Sequence, residues 1–297
     1  MIELPKGIYL KDLLLFLRNI GLRSSSILRD YENGIKPLYE NFDVLPIKFN
    51  PNDPVTAADL TINQLIIDAF SSNYFGKEWG IVSEENAKSI ELKDLESEWR
   101  WLIDPLDGTK DFIQNTGEYA IHIALIYRNS PILGMVALPS KKEIWFGVDG
   151  YGTWKENEMN TSEVKNFISP SNMKGLDIVT SKNHSNQKLN YILDYLEHRK
   201  ISKMGSIGFK ICNLLRNESN VYISISDKTS PKDWDIAAPH ALLKGANCNF
   251  TYVSGVEINY LKKNYEQPGC LIGSTLPNNE HLEVCKKIGE IIKELNL

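Results

Sequence analysis

Leu10, Leu13, Leu14, Leu17, Ile20 and Ile27 recur at helical spacing and predict an amphipathic helix over 9–32, with Gly21 as the point where it could break. Four prolines and several Asn and Asp residues across 36–54 resist regular structure. A second helix is expected to open at Thr56, because Ile62, Leu65, Ile66, Ala69 and Phe70 fall on one stripe. Residues 80–85 read as a short strand running into Glu84 and Glu85, and 99–104 alternates as a strand that ends at Asp104. Three β-rich runs, 119–128, 132–138 and 144–148, predict an antiparallel meander closed by Asp149-Gly150-Tyr151-Gly152.

After about residue 160 the rhythm changes. Strands are expected at 177–180 and 221–226, with helices over 187–197, 206–216, 234–244 and from Asn279 onward. This predicts an α+β domain over 1–160 and an α/β domain over 161–297, with any cleft between them.

Composition narrows the class of partner. With 38 Asp and Glu against 33 Lys and Arg, the net charge of −5 offers no positive field for a polynucleotide. A small anionic ligand then needs local cations or metal ions. No window approaches the run of about 20 apolar residues that spans a membrane. Glu3 precedes any lysine, unlike the basic start of a signal peptide, so a cytoplasmic protein is expected. The four cysteines, Cys212, Cys248, Cys270 and Cys285, form no CxxC pair and read as free thiols in a reducing compartment.

The segment 101–111 carries the most chemistry. A strand delivers Asp104, Pro105 is expected to stop the ladder, Asp107 follows, and Gly108 and Thr109 turn into a helix start. Carboxylates with a turn carbonyl such as that of Leu106 suit Mg²⁺, and N–H groups at a helix start suit a phosphate oxygen. The same residues could instead be caps of a surface turn. More acids at element ends weigh against that: Glu84 after a strand, and Asp59 and Asp235 in the first turns of helices.

In order along the chain, Val55-Thr-Ala-Ala-Asp59, Ser83-Glu-Glu85, Asp104-Pro-Leu-Asp-Gly-Thr109, Gly205-Ser206 and Trp234-Asp-Ile-Ala-Ala238 resemble the motif series of the inositol-monophosphatase-like phosphatases, a lithium-sensitive, magnesium-dependent group. The longer run through Lys110-Asp-Phe112 and the later 117–125 segment resemble most the 3′(2′),5′-bisphosphate nucleotidases of sulfur assimilation, the CysQ group.

The resemblance implies a layered αβαβα sandwich. It implies two or three Mg²⁺ ions held by Glu84, Asp104, Asp107, Asp235 and the Leu106 carbonyl. Asp59 would act as the base and Thr109 as a hydroxyl relay for water attacking phosphorus in line, while the N–H groups of Gly108 and Thr109 hold the phosphate. Gly205 and Ser206 would meet the organic part of the substrate beside Asp235, and His184 would lie near a nucleotide.

Two departures bear on specificity. Lys210 stands one residue out of register with the lysine of many nucleotidases. Lys228 falls where inositol phosphatases carry an acid for sugar hydroxyls; a cation there favours a second phosphate, with Lys232 assisting.

The implied reaction converts adenosine 3′,5′-bisphosphate to AMP and phosphate, with the 5′-phosphosulfate analogue as a further substrate. Alternatives are an inositol-phosphate or sugar-bisphosphate phosphatase and, from another class, a silent phospho-ligand-binding protein. A monomer is favoured over a homodimer, with neither polynucleotide nor membrane as partner.

Overall fold

The computed structural model describes residues 4–35, 57–74, 76, 79–87, 97–157, 160–164, 167, 175–184, 186–260 and 264–295. The loop expected over 36–54 and the helix start at Thr56, with its neighbour Val55, lie outside the described residues.

Two helices cover one face of the first sheet. Helix α1, Leu10–Glu32, is continuous, so the break expected at Gly21 does not occur. Gly21 instead lets the helix approach the sheet: a Cβ there would stand 3.2 Å from Ile144 Cδ1 and Met135 Sδ. Helix α2, Ala57–Asn73, buries Ile62, Ile66 and Phe70 on the same side.

The sheet contains β1 (Gly80–Ser83), β2 (Trp99–Asp107), β3 (Ala120–Tyr127), β4 (Ser130–Leu138), β5 (Glu143–Val148), β6 (Gly152–Glu156) and β7 (Thr161–Glu163), ordered as in the chain. β1 and β2 are parallel and the remaining pairs antiparallel. Two sequence expectations need correction here. Pro105 does not end β2: the strand carries one extra residue between its pairings Asp104↔His122 and Asp107↔Ala120, a bulge that accommodates a residue without an N–H. Nor does the Asp149–Gly152 turn close the meander, since β6 and β7 follow it.

Short helix α3, Thr109–Ile113, leaves the end of β2 through Gly108. The second sheet runs in the order β11-β12-β10-β8-β9, with β8 (Asp177–Ser181), β9 (Lys200–Met204), β10 (Val221–Ile225), β11 (Asn249–Tyr252) and β12 (Cys270–Ser274). β8, β9 and β10 are parallel, and β12 is antiparallel to both its neighbours. Strands β9, β11 and β12 were not foreseen, because their short runs are interrupted by Lys, Asn and Gly.

Helices α4 (Gln187–Tyr195) and α7 (Asn278–Glu294) pack outside this sheet around Ile178, Ile223 and Ile272. Between the two sheets lie α5 (Ile207–Leu215) and α6 (Asp233–Gly245), whose Ile211, Leu214, Ala238 and Leu242 share one core with Leu102 and Val136 of the first sheet and Val179 and Tyr222 of the second. Each fully buried Leu or Ile here contributes about 2 kcal/mol relative to exposure. The expected αβαβα sandwich is borne out, with α6 in its middle layer carrying Asp235 to the first sheet.

Candidate active site

The alternation of β2 and β3 builds the floor. Opposite faces of β3 separate Ile121, Ile123 and Leu125, which meet α1 and α2, from Ala120 and Ala124, which meet the middle helix layer. Asp104 lies opposite His122 on that second face, and Asp107 ends the strand three residues later. Glu84 follows β1 and donates its N–H to Ile103 O at 3.1 Å, which brings this acid alongside β2. Asp235 comes from the first turn of α6 and accepts the Lys232 N–H at 2.8 Å.

Asp104 stands within charge range of the other three acids, and Asp235 within that of Asp107. The Asp104 carboxyl is held well above the usual range by burial first and then by the charges of Glu84, Asp107 and Asp235. The Asp235 carboxyl is pushed up to about 7, by burial and then by Asp107. Unit charges about 4 Å apart repel by roughly 4 kcal/mol at an effective dielectric near 20, so such a group favours protonation or a bound cation. Among the described residues no three acid or imidazole side chains already stand in ligand geometry about one point.

The second pair lies beside them. Thr109 Oγ1 is 3.3 Å from Asp59 Oδ1 and 3.2 Å from the Leu106 carbonyl oxygen, and Asp59 is buried. The Leu106 N–H in turn donates to Asp104 Oδ1 at 3.0 Å, so Asp59, Thr109, Leu106 and Asp104 form one hydrogen-bonded chain. Gly108 makes the turn at φ 92°, a left-handed conformation natural to glycine; a Cβ there would also stand 3.2 Å from Glu118 O and Ser206 Cβ.

The residues expected to meet the organic part of the substrate divide. His184 follows β8 and is exposed; desolvation by its neighbours lowers its pKa, with Lys210 and Lys110 acting in the same direction and Asp107 and Asp111 against it. Ser206 is buried and its hydroxyl caps α5 by accepting the Phe209 N–H at 3.0 Å. Gly205 donates its N–H to Glu118 Oε2 at 2.9 Å. Lys210 turns inward: only 2% exposed, it donates to the Gly205 carbonyl, and burial lowers its pKa to about 8. Its ammonium therefore does not stand at the cleft surface. Lys228 is exposed in the loop before α6, and Lys232 is engaged by Glu266 Oε1 at 2.6 Å.

Several residues were missed by sequence reasoning. Asp111 is fully buried and accepts from Lys182 Nζ at 2.7 Å, Thr116 Oγ1 at 2.8 Å and Asn183 Nδ2. These contacts tie the first sheet to the end of β8. His122 is fully buried with Nε2 3.5 Å from Asp107 Oδ2, and burial lowers its pKa. Glu118 receives Lys182 Nζ at 2.9 Å as well as the Gly205 N–H. A histidine amid apolar strand residues was the available signal at position 122.

Fold and acid cluster together define a phosphatase of the layered αβαβα class. The chain belongs to the inositol monophosphatase family, whose model matches residues 12–293. It is 30% identical over 256 residues to the 3′(2′),5′-bisphosphate nucleotidase CysQ of Shigella flexneri, covering 85% of this chain and 94% of that protein. Among solved structures, an IMPase of Thermotoga maritima superposes with a TM-score of 0.74 at 21% identity, over 96% of this chain and 99% of the other. CysQ from Bacteroides thetaiotaomicron gives 0.70 at 21% identity, over 91% and 99%. The expected family and the expected class of enzyme, a phosphatase, are both borne out. No helix among the described residues is long and apolar enough to cross a membrane.

Proposed function

We propose that the protein is a Mg²⁺-dependent 3′(2′),5′-bisphosphate nucleotidase that cleaves the 3′-phosphate of adenosine 3′,5′-bisphosphate to leave AMP and phosphate. The observation that carries this reading is the meeting of Glu84, Asp104, Asp107 and Asp235 beside the Asp59–Thr109 pair. Likeness to the Shigella flexneri nucleotidase supports the choice of substrate.

The donor set fits a hard cation. Four carboxylates and the Leu106 carbonyl are oxygen donors of the kind Mg²⁺ takes, and the raised pKa of buried Asp104 marks a cluster that lacks compensating charge. A divalent cation held there would supply Lewis-acid stabilisation of the phosphoryl oxygens and a water of lowered pKa.

The chain's own residues do the rest. Asp59, buried and next to the Thr109 hydroxyl, takes the proton of the attacking water through that hydroxyl. The N–H groups of Gly108 and Thr109 orient the phosphate being cleaved. His184 meets the nucleotide from the β8 side, and Lys228 provides a cation for the second phosphate. Gly205 and Ser206 shape that wall through their backbone, with Lys210 behind them.

Under this reading, residues 1–160 carry most of the metal ligands, and residues 161–297 complete the site and bind the nucleotide. The protein works as a cytoplasmic monomer in sulfur metabolism, with the 5′-phosphosulfate analogue as a second substrate. Assaying phosphate release from adenosine 3′,5′-bisphosphate, inositol 1-phosphate and fructose 1,6-bisphosphate, with Mg²⁺ and with EDTA, tests this. The bisphosphate nucleotide should give the highest kcat/KM. Equal or faster turnover of either other compound, or full activity in EDTA, would overturn the reading.

A further inference from the structure

Four successive backbone N–H groups at the start of α5 are all spent on oxygens of the first half of the chain. Gly205 donates to Glu118 Oε2 at 2.9 Å and Ser206 to the Glu118 carbonyl at 2.8 Å. Ile207 donates to Asp107 Oδ2 at 2.5 Å and Gly208 to the same oxygen at 3.3 Å. A helix start of this kind attracts an anion through its unpaired N–H groups and its dipole. Here the protein's own Glu118 and Asp107 fill it, so the start of α5 is not open to a substrate phosphate.

This arrangement constrains Asp107. Its Oδ2 is committed to α5, and the position of the helix start sets where the other oxygen points. Whatever fixes the first residues of α5 therefore fixes that carboxylate. Gly205 is gripped from both sides, by Glu118 at its N–H and by Lys210 at its carbonyl. It also lies too close to Asp111 for any side chain, since a Cβ would stand 2.4 Å from Asp111 Oδ2. Glu118 is itself aimed by Lys182, which bridges it to buried Asp111 at 2.9 and 2.7 Å.

We propose that Glu118 is a positioning residue for the cation site: by holding Gly205 it seats the start of α5 on Asp107 and sets the oxygen that Asp107 presents to the metal. The inference rests on the metal-site reading above, although Glu118 itself touches neither the acid cluster nor, in that reading, the substrate. It makes Glu118 a link between the second half of the chain and metal affinity. By reciprocity, cation binding then tightens the packing of α5 on the first sheet.

The test measures Mn²⁺ affinity of the full-length protein by electron paramagnetic resonance, alongside melting temperature without metal. Outer contacts that orient a metal ligand typically govern about 10- to 100-fold in affinity. Glu118→Ala should weaken Mn²⁺ binding by about 10-fold or more, and Glu118→Gln, which keeps an oxygen for the Gly205 N–H, should restore it to within about 3-fold. Glu118→Asp keeps the charge but withdraws the carboxylate from Gly205, so it should weaken binding too, and it serves if the alanine variant fails to fold. The Glu118 side chain is 26% exposed, so these changes do not open a cavity in the core.

Wild-type Mn²⁺ affinity in folded Glu118→Ala or Glu118→Asp, with only a lower melting temperature, would reduce Glu118 to a structural clasp and overturn this inference alone. A wild-type protein that binds no Mn²⁺ would overturn the metal-site reading and this inference with it.

Discussion

The Thr109 hydroxyl stands 3.3 Å from Asp59 Oδ1, across 50 residues of sequence, and joins the first turn of α2 to the turn that leaves β2. Each residue alone is an ordinary helix-start residue; together they place a buried carboxylate beside a hydroxyl at the edge of the acid cluster. Asp59→Asn and Thr109→Val should each lower kcat by about 10²- to 10⁴-fold, the usual weight of general-base catalysis, while leaving Mn²⁺ affinity within a few-fold. Steady-state kinetics with a metal titration checks this; an unchanged kcat in either variant removes the pair from the mechanism.

Asp104→Asn should abolish turnover with the fold intact. Losing several kcal/mol of charge stabilisation corresponds to about 10³-fold or more in rate. Because Asp104 is buried among like charges, the variant should also melt at or above the wild-type temperature in EDTA. Activity within a few-fold of wild type would remove Asp104 from the metal ligands.

The pH dependence of Asp235 has a definite sign. Its folded pKa of about 7 lies above the ordinary carboxylate value of 3.8, so the folded, metal-free protein holds a proton that the unfolded chain releases. The stability this group contributes is present below the lower value and is lost as pH rises to about 7. Buried histidines with lowered pKa, such as His240 at about 3 and His281 at about 4, act in the opposite direction, so the comparison must be with a variant. In EDTA, the stability advantage of Asp235→Asn over wild type should grow between about pH 4 and pH 8, and Mg²⁺ should shrink it. Urea denaturation across that range decides; an advantage that falls with pH contradicts the assignment.

Lys228→Glu tests substrate choice without touching the metal cluster. The exposed lysine should matter to a second phosphate and not to a single one. KM for adenosine 3′,5′-bisphosphate should rise by about 10-fold, the weight of one charge-assisted contact, with inositol 1-phosphate turnover unaffected. Equal effects on both substrates would remove Lys228 from the specificity argument.

Asp111→Ala should be among the costliest substitutions. It takes away the fully buried carboxylate that Lys182, Thr116 and Asn183 share, leaving Lys182 with Glu118 alone. Breaking a buried pair costs about 3–5 kcal/mol; with Lys182 one-third exposed, about 2–4 kcal/mol is expected here. Equilibrium denaturation in urea measures it, and a loss below about 1 kcal/mol would show that the clasp contributes little.

Much of the fold was legible because its signals are local. Helical spacing marks α1, alternation marks the first part of β2, and β-rich runs mark β3, β4 and β5. Pro, Gly and Asn punctuate the meander. Where the reading failed, tertiary contacts overrode the local signal. Gly21 sits in an unbroken helix because close approach to Met135 and Ile144 requires it. Pro105 sits within β2 because a bulge absorbs the missing donor. Lys210 is expected at the substrate, close to the register of the nucleotidase lysine, yet it lies inside, bonded to the Gly205 carbonyl.

The sequence by itself determined the acids and the hydroxyl of the candidate site, the ends of elements on which they stand, and the family to which the chain belongs. Short motifs carry that information because strand ends, tight turns and helix starts are set by a few adjacent residues. Only the tertiary structure decided that the four N–H groups opening α5 belong to Glu118 and Asp107 and not to a substrate. Those contacts join residues about a hundred positions apart, and no local propensity encodes which oxygen a distant N–H will find.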